Sequence, residues 1–256
     1  MNRPLTLTFV GLLLTTLCMA QSLEDSVIFK PLGNSGLFKT ATFRNKRYFV
    51  CELEPKKYKI ELFNKIDSKN SQHHFSSIDS LKGSSLVLIV NGGMFMEDLR
   101  PLGLYVSNEK TYMRIKRDTA GYGNFYMQPN GIFIIDKSSK PQLITTREYT
   151  DKAPVMLATQ SGPMLVTKNK INGNFKKGSA NVNIRNGVGI NKKGNIVFVT
   201  SDDFVNFHEF AELYRDHLDC DNALYLDGAV SQYYAPELRQ TAQTYRLGVF
   251  IVVTRK

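Results

Sequence analysis

The chain has 256 residues, 42% apolar and 22% charged, with 18 Gly, 9 Pro, 3 Cys and no Trp. That is one globular domain of ordinary size, or at most two small ones, and not a disordered chain. A chain this long buries roughly three quarters of its unfolded surface and needs no staple to fold, and no fixed-period repeat or heptad is present, which excludes a solenoid and a coiled coil. The formal charge of +10 suits anionic surfaces or phosphate-bearing glycans, or a plain solvated basic surface. The Lys and Arg are dispersed apart from Lys56–Lys57, Arg114–Lys116–Arg117 and Lys176–Lys177, and nothing points to a specific nucleic acid.

Residues 1–20 read MNRPLTLTFVGLLLTTLCMA. Arg3 supplies a positive start, Leu5 to Leu17 an apolar run, and Ala20 a small residue at the cleavage position. This is the layout of a secretory signal peptide cut before Gln21. An uncleaved anchor is the alternative, but the run is short of the about 20 residues a span needs. A lipoprotein reading on Cys18 meets bulky Leu17 where a small residue is wanted. The sequence therefore predicts a mature chain, 21–256, that is secreted or periplasmic, with no transmembrane segment after cleavage.

Residues 21–46 read as a lead-in. Strand character begins at 48–53, 58–63 and 85–90, rich in Val, Ile, Tyr and Phe. Between the last two, Phe75, Ile78 and Leu81 recur every third residue and predict a short helix. Further strands are predicted at 102–106, 125–127, 131–135, 142–146, 154–158, 163–167, 187–190, 195–200, 223–226 and 245–253. Asn130-Gly131, Asn172-Gly173 and Lys193-Gly194 are turn signals. The last lies in a hairpin between Val188–Ile190 and Ile196–Val199. Phe207, Phe210, Ala211, Tyr214 and Leu218 share one helical face, and Asn206 with Glu209 has the form of a capping box. The result is a strand–helix–strand unit in a strand-rich chain. The expected class is α+β, a single domain of mixed β-sheets with a few helices.

Common catalytic machinery is missing: there is no G-x-S-x-G, no dinucleotide loop, no Walker A motif, no H-E-x-x-H and no EF-hand loop. No C-x-x-C or zinc spacing exists. Past Cys18, Cys51 and Cys220 either form one disulfide in an oxidising compartment or stay as two buried thiols. What remains are polar clusters at strand ends: Asn91-Gly92-Gly93, Gln160-Ser161-Gly162-Pro163, Arg185 and Asp227-Gly228. Each alone is most often a turn. Together they bring an amide, a guanidinium suited to phosphate or carboxylate and a carboxylate able to act as acid or base.

The ordered set NGGMF (91–95), SGPML (161–165), RNGVGI (185–190), NFHEFA (206–211) and LDGAVS (226–231) resembles the phosphodiester glycosidases, the family of the enzyme that uncovers mannose phosphodiesters by removing N-acetylglucosamine. The resemblance runs over 84–253. It implies that the family's polar residues line one cleft. Carried over residue by residue, Arg185 would bind the phosphodiester oxygens and stabilise charge on the leaving phosphate. Asp227 would activate water or stabilise an oxocarbenium-like sugar. Asn91 would orient the substrate, beside the Gly92 and Gly93 amides, with Ser161, Gly162 and Gly228 as further substrate-binding positions. Gly187 stands where the family has Ala. Ala229 and Val230 replace two glycines, so that loop should be bulkier and stiffer. Glu97, Asp98, Asp202 and Asp203 are secondary carboxylates, each with a simpler role as a solvated or helix-end acid. Glu209 matches the family's helix Glu and is a further secondary candidate, with its capping role as the simpler reading. His208 is expected at the surface, and the adjacent His73 and His74 point apart. No cofactor is implied as a requirement, and a structural Ca²⁺ comes only by family analogy, without assigned ligands. The resulting expectation is a secreted hydrolase of sugar-1-phosphodiesters in a glycan or envelope polymer. The alternatives are a binding module of the same fold that holds a glycan or anionic polymer, and a purely structural envelope protein.

Overall fold

The computed structural model describes residues 26–67, 69, 74–118, 120–150, 155–228, 231–238 and 246–256. The predicted leader at 1–20 lies outside the described residues, as do His73 and the loop pair Ala229–Val230. In chain order the strands are β1 (Val27–Leu32), β2 (Phe38–Phe43), β3 (Lys46–Leu53) and β4 (Tyr58–Phe63). Helix α1 (Phe75–Lys82) follows, then β5 (Leu86–Asn91), β6 (Tyr105–Ser107), β7 (Lys110–Met113), β8 (Gly131–Asp136), β9 (Pro141–Thr145), β10 (Val155–Ser161), β11 (Met164–Thr167) and β12 (Lys170–Ile171). The chain continues with β13 (Asn186–Asn191), β14 (Ile196–Ser201), α2 (Phe207–Glu212), β15 (Cys220–Tyr225), β16 (Tyr233–Tyr234) and β17 (Phe250–Arg255).

Among the described residues these strands make three sheets, ordered β1-β2-β3-β14-β13-β15-β11-β12, β7-β6-β10-β8-β9 and β16-β5-β17-β4. The protein is mostly β, and the described pairings are antiparallel. Among the described residues the α+β character rests on two short helices. The strand–helix–strand unit is β14–α2–β15. Both strands pair antiparallel with β13, so they run parallel to each other with β13 between them. The hairpin β13–β14 closes as predicted, with Ile190 opposite Ile196 and Gly194 at φ +79.

Alternation along the strands builds the layers. Phe49, Cys51 and Leu53 of β3 and Ile196 and Phe198 of β14 face a central core that also takes Leu88 and Val90 of β5, Phe133 of β8, Leu157 of β10 and Ile251 of β17. Residues one position away, Tyr48, Val50, Val197 and Val199, face α2 through Phe210, Ala211 and Tyr214. Helix α1 covers the outer face of the third sheet with Phe75 and Ile78. Gly189 lets the layer under α2 close up, since a Cβ there would stand 2.7 Å from Cys220 Sγ and 2.8 Å from the Tyr214 ring.

This layering decides the cysteine question. Cys51 lies in the central core and Cys220 on the α2 side of the sheet. Both are buried free thiols, and burial pushes both up from the ordinary thiol value.

Three sequence expectations change. The lead-in 21–46 contains the hairpin β1–β2, paired from Val27–Phe43 to Leu32–Phe38. The strand expected at 125–127 is a 3₁₀ turn over Asn124–Tyr126, with only Phe125 buried. The helix at Phe207 ends early as an α-helix and finishes in a π turn over Leu213–His217, closed by Leu218 N–H donating to the Leu213 carbonyl at 3.1 Å. Among the described residues no helix is long and apolar enough to cross a membrane.

Candidate functional site

The ends of β5, β10, β13 and β15 meet on one side of the sheets. At their centre is Asn91, the last residue of β5, which is wholly buried. Its amide donates to the Asp227 carbonyl at 2.5 Å and to Asn186 Oδ1 at 3.3 Å. Its Oδ1 accepts from Asn186 Nδ2 at 2.7 Å and from the Gln232 N–H at 3.0 Å. Asn186 also donates to the Asn91 carbonyl at 3.2 Å. Two buried amides thus exchange hydrogen bonds and fix the backbone of the Asp227-Gly228 turn from below. Ser231 Oγ completes the turn by donating to the Gly228 carbonyl at 3.1 Å. A satisfied buried polar network of this kind specifies one geometry. Asn91 therefore positions the turn, and its side chain does not face solvent.

The glycines of the NGG motif serve close packing. Gly92 N–H donates to the Val249 carbonyl at 2.8 Å, so the expected Gly92 amide is not open to a ligand. The Gly92 carbonyl accepts from Asp227 N–H at 3.3 Å. A Cβ on Gly93 would collide with Thr159 Oγ1 and the Gln160 carbonyl. Gly162 packs in the same way, its Cβ position 2.8 Å from Asn130 Cβ and 3.0 Å from the Phe125 carbonyl. Ser161 is fully buried, and its Oγ has no hydrogen-bond partner among the described residues. Pro163, next in this turn, accepts the Tyr225 N–H at 3.0 Å and so ties the Ser-Gly-Pro turn to the end of β15.

Arg185 enters β13 and is 1% exposed. Its Nε donates to the Val205 carbonyl at 2.8 Å, and its Nη2 to the Asn181 carbonyl at 3.0 Å. Its guanidinium lies 3.6 Å from the Phe207 ring centre and 5.5 Å from that of Tyr225. Phe175 stacks on the far side of Phe207 at 4.9 Å. Nη1 reaches the Tyr225 hydroxyl at 3.4 Å. Among the described residues no carboxylate forms an ion pair with it. Burial holds its pKa below the ordinary value, against the pull of the neighbouring Tyr225. A buried cation held by neutral acceptors and aromatic faces keeps its charge available to an incoming anion.

Tyr225 links Arg185 to the turn. Its hydroxyl occupies the space a Cβ on Gly228 would need, which is why glycine follows Asp227. Burial pushes this phenol up to about 12. Asp227 itself is half-buried.

The secondary carboxylates fall elsewhere. Asp202 Oδ2 pairs with Arg47 Nε at 2.7 Å, and Asp203 Oδ2 accepts the Arg47 N–H at 2.8 Å. They pin the end of the β2–β3 hairpin. Glu209 is in the predicted cap, where Asn206 Oδ1 accepts its N–H at 2.9 Å. Glu97 is exposed on a turn closed by Leu99 N–H donating to the Met96 carbonyl at 2.7 Å, and its neighbour Asp98 pairs with Arg100. His208 is partly buried and stands 3.3 Å from Glu212, which also pairs with Arg44. Among the described residues no three His, Cys, Asp or Glu side chains gather as a metal site. They supply no such donor set for the Ca²⁺ suggested by family analogy. Sequence reasoning missed Asn186 and Tyr225 as site residues. Asn186 lies inside the RNGVGI motif and Tyr225 just before LDGAVS, and a polar side chain at the end of an apolar strand was the signal.

The family model described as phosphodiester glycosidase matches residues 84–247. The chain belongs to this family. The matched stretch lies within the 84–253 region that carries the five motifs. Uncharacterized protein YigE of Escherichia coli (strain K12) is 36% identical over 169 residues, which cover 66% of this chain and 66% of that protein. The catalytic domain of zebrafish N-acetylglucosamine-1-phosphodiester alpha-N-acetylglucosaminidase, solved in a state auto-inhibited by its pro-peptide, superposes with a TM-score of 0.61 at 14% identity, over 90% of this chain and 83% of that one. A hypothetical protein from Synechocystis superposes with a TM-score of 0.54 at 12% identity, over 90% of this chain and 62% of that one. At these identities the two solved structures speak for the fold alone.

Proposed function

We propose that this member of the family is a secreted or periplasmic hydrolase that cleaves the glycosidic bond of a sugar-1-phosphodiester in a glycan or envelope polymer. The observation that carries the reading is Arg185, a buried cation with no carboxylate partner among the described residues, linked through Tyr225 to the Asp227-Gly228 turn. The zebrafish relative acts, by its name, on an N-acetylglucosamine-1-phosphodiester. In this reading water adds to the anomeric carbon, the bond from that carbon to the phosphate oxygen breaks, and a phosphate monoester leaves. Arg185 stabilises charge on the departing phosphate. Asp227 activates the water or stabilises the oxocarbenium-like sugar. Phosphate is a good leaving group, so no strong general acid is needed. Asn91 and Asn186 hold the Asp227 backbone in place, with Gly92, Gly93, Gly162 and Gly228 allowing the close packing around the turn and Ser161 buried beneath it. No cofactor is required.

A binding module of the same fold is the second reading. It is favoured by the sequence, which has Ala229-Val230 where the family has two glycines, and by the basic charge. Sugar release from N-acetylglucosamine and glucose 1-phosphodiesters, followed by NMR, tests the first reading. Ligand-induced shifts without release would replace it with the second.

A further inference from the structure

Most of the Arg185 guanidinium is fixed. Nε is held by Val205, and the face by Phe207. The two Nη groups are held more weakly. Nη2 donates to both oxygens of one residue, the Asn181 carbonyl at 3.0 Å and Asn181 Oδ1 at 3.4 Å. Asn181 is exposed, and so are Lys176, Lys177 and Gly178 before it and Val182 after it. Gly178 has φ +70. The segment is anchored again at Asn183, which exchanges two backbone bonds with Val205 at 3.1 Å and 2.9 Å. The cap on Arg185 is thus the exposed part of the loop between Gly178 and Asn183, in which Asn181 Oδ1 also accepts from Asn183 Nδ2 at 3.0 Å.

Nη1 donates to the Tyr225 hydroxyl at 3.4 Å. That oxygen acts as acceptor, so its own proton must go elsewhere, and among the described residues the hydroxyl donates no hydrogen bond, with the Asp227 carboxylate as its anionic neighbour. With its pKa pushed up to about 12, the hydroxyl keeps that proton at neutral pH. A buried donor without an acceptor is costly, and here it sits beside a buried cation whose outer edge is covered by two neutral oxygens.

We propose that the Nη edge of Arg185 and the Tyr225 O–H form a latent oxyanion pocket, capped by Asn181, which a phosphate-class ligand opens by replacing the two Asn181 oxygens with its own. Taking the ligand as a phosphate ester rests on the function proposed above. The second donor and the displaceable cap are new to it. The Asn181 oxygens are neutral, whereas a phosphate oxygen adds full charge–charge attraction to the guanidinium and can take both Nη donors at once, so exchange favours the ligand. Lys176 and Lys177 on the same loop add attraction for an anion.

The test is titration of the full mature chain with inorganic phosphate and, separately, dimethyl phosphate, by calorimetry at fixed ionic strength. Tyr225→Phe keeps the ring packing and removes the donor, and should weaken phosphate binding about tenfold. Asn181→Asp is an exposed change that places a fixed carboxylate on the cation. It should abolish phosphate binding and raise the melting temperature. Preference for dimethyl phosphate over inorganic phosphate would assign the pocket to diesters, and the reverse to free phosphate. Equal affinity of wild type and both folded variants would overturn the pocket, as would wild type binding neither ligand. Binding that follows both substitutions without sugar release would keep the pocket and sink the glycosidase. Sugar release unchanged in both variants would do the opposite.

Discussion

Truncating Asn91 to Ala should be one of the more damaging single changes in the molecule. The residue is buried, and its amide makes a 2.5 Å bond to the Asp227 carbonyl and accepts bonds of 2.7 Å from Asn186 and 3.0 Å from Gln232. Some of these partners have substitutes. Asn186 Nδ2 keeps the Asn91 carbonyl at 3.2 Å, and the Asp227 carbonyl keeps Ser231 Oγ at 3.4 Å. A buried bond is worth about 0.5–1.5 kcal/mol net, and a buried group left poorly satisfied costs about 1–3 kcal/mol. The expected loss is then about 2–4 kcal/mol out of a typical total of about 5–15 kcal/mol. The chain has no Trp, so urea unfolding is best followed by far-UV circular dichroism, with the midpoint falling and the slope unchanged. Asn186→Ala and the double variant complete a cycle, whose coupling should exceed about 1 kcal/mol because the two amides bond each other. A loss below about 0.5 kcal/mol with no coupling would refute the idea that this amide pair builds the site.

Other consequences can be checked with little effort. Glu148 is pulled down to about 2 by the Lys168 ammonium and the Thr145 N–H and hydroxyl. A carboxylate lowered on folding contributes stability that is present above about pH 4.5 and lost as pH falls towards 2,. Glu148→Gln should flatten the acid limb of the stability curve by no more than about 1 kcal/mol, since the pair is largely exposed; an unchanged limb would remove Glu148 from the acid response. The buried thiols predict that Cys51 and Cys220 resist a thiol reagent in the native protein, react once unfolded, and leave the melting temperature indifferent to reductant. A drop in melting temperature on adding reductant would show that they pair.

Much of the architecture was legible from periodicity, because the central strands bury both faces and carry dense Val, Ile and Phe. The failures have local causes. β1 is exposed along most of its length, so no inside–outside alternation marked it, and it is specified by its pairing with β2. β12 and β16 have two residues each, too few to carry a pattern. The apolar run at Phe125 looked like a strand, but the Gly123 conformation at φ +97 turns the chain there. At the site, the motif order announced which residues would meet. It could not announce depth. Asn91 and Arg185 lie buried behind the turn, Glu97 and Asp202 belong to other surfaces, and Tyr225 reaches between Arg185 and Gly228 because the ends of β13 and β15 lie side by side.

The central claim is that the Asp227-Gly228 turn and Arg185 together cleave a sugar-1-phosphodiester. The most direct measurement follows free sugar by NMR from N-acetylglucosamine and glucose 1-phosphodiesters, using residues 21–256 beside Asp227→Asn and Arg185→Ala, with circular dichroism to establish folding. The account predicts release by wild type and none by the two folded variants. Release that persists in folded Asp227→Asn, or none from wild type across these substrates, would contradict it.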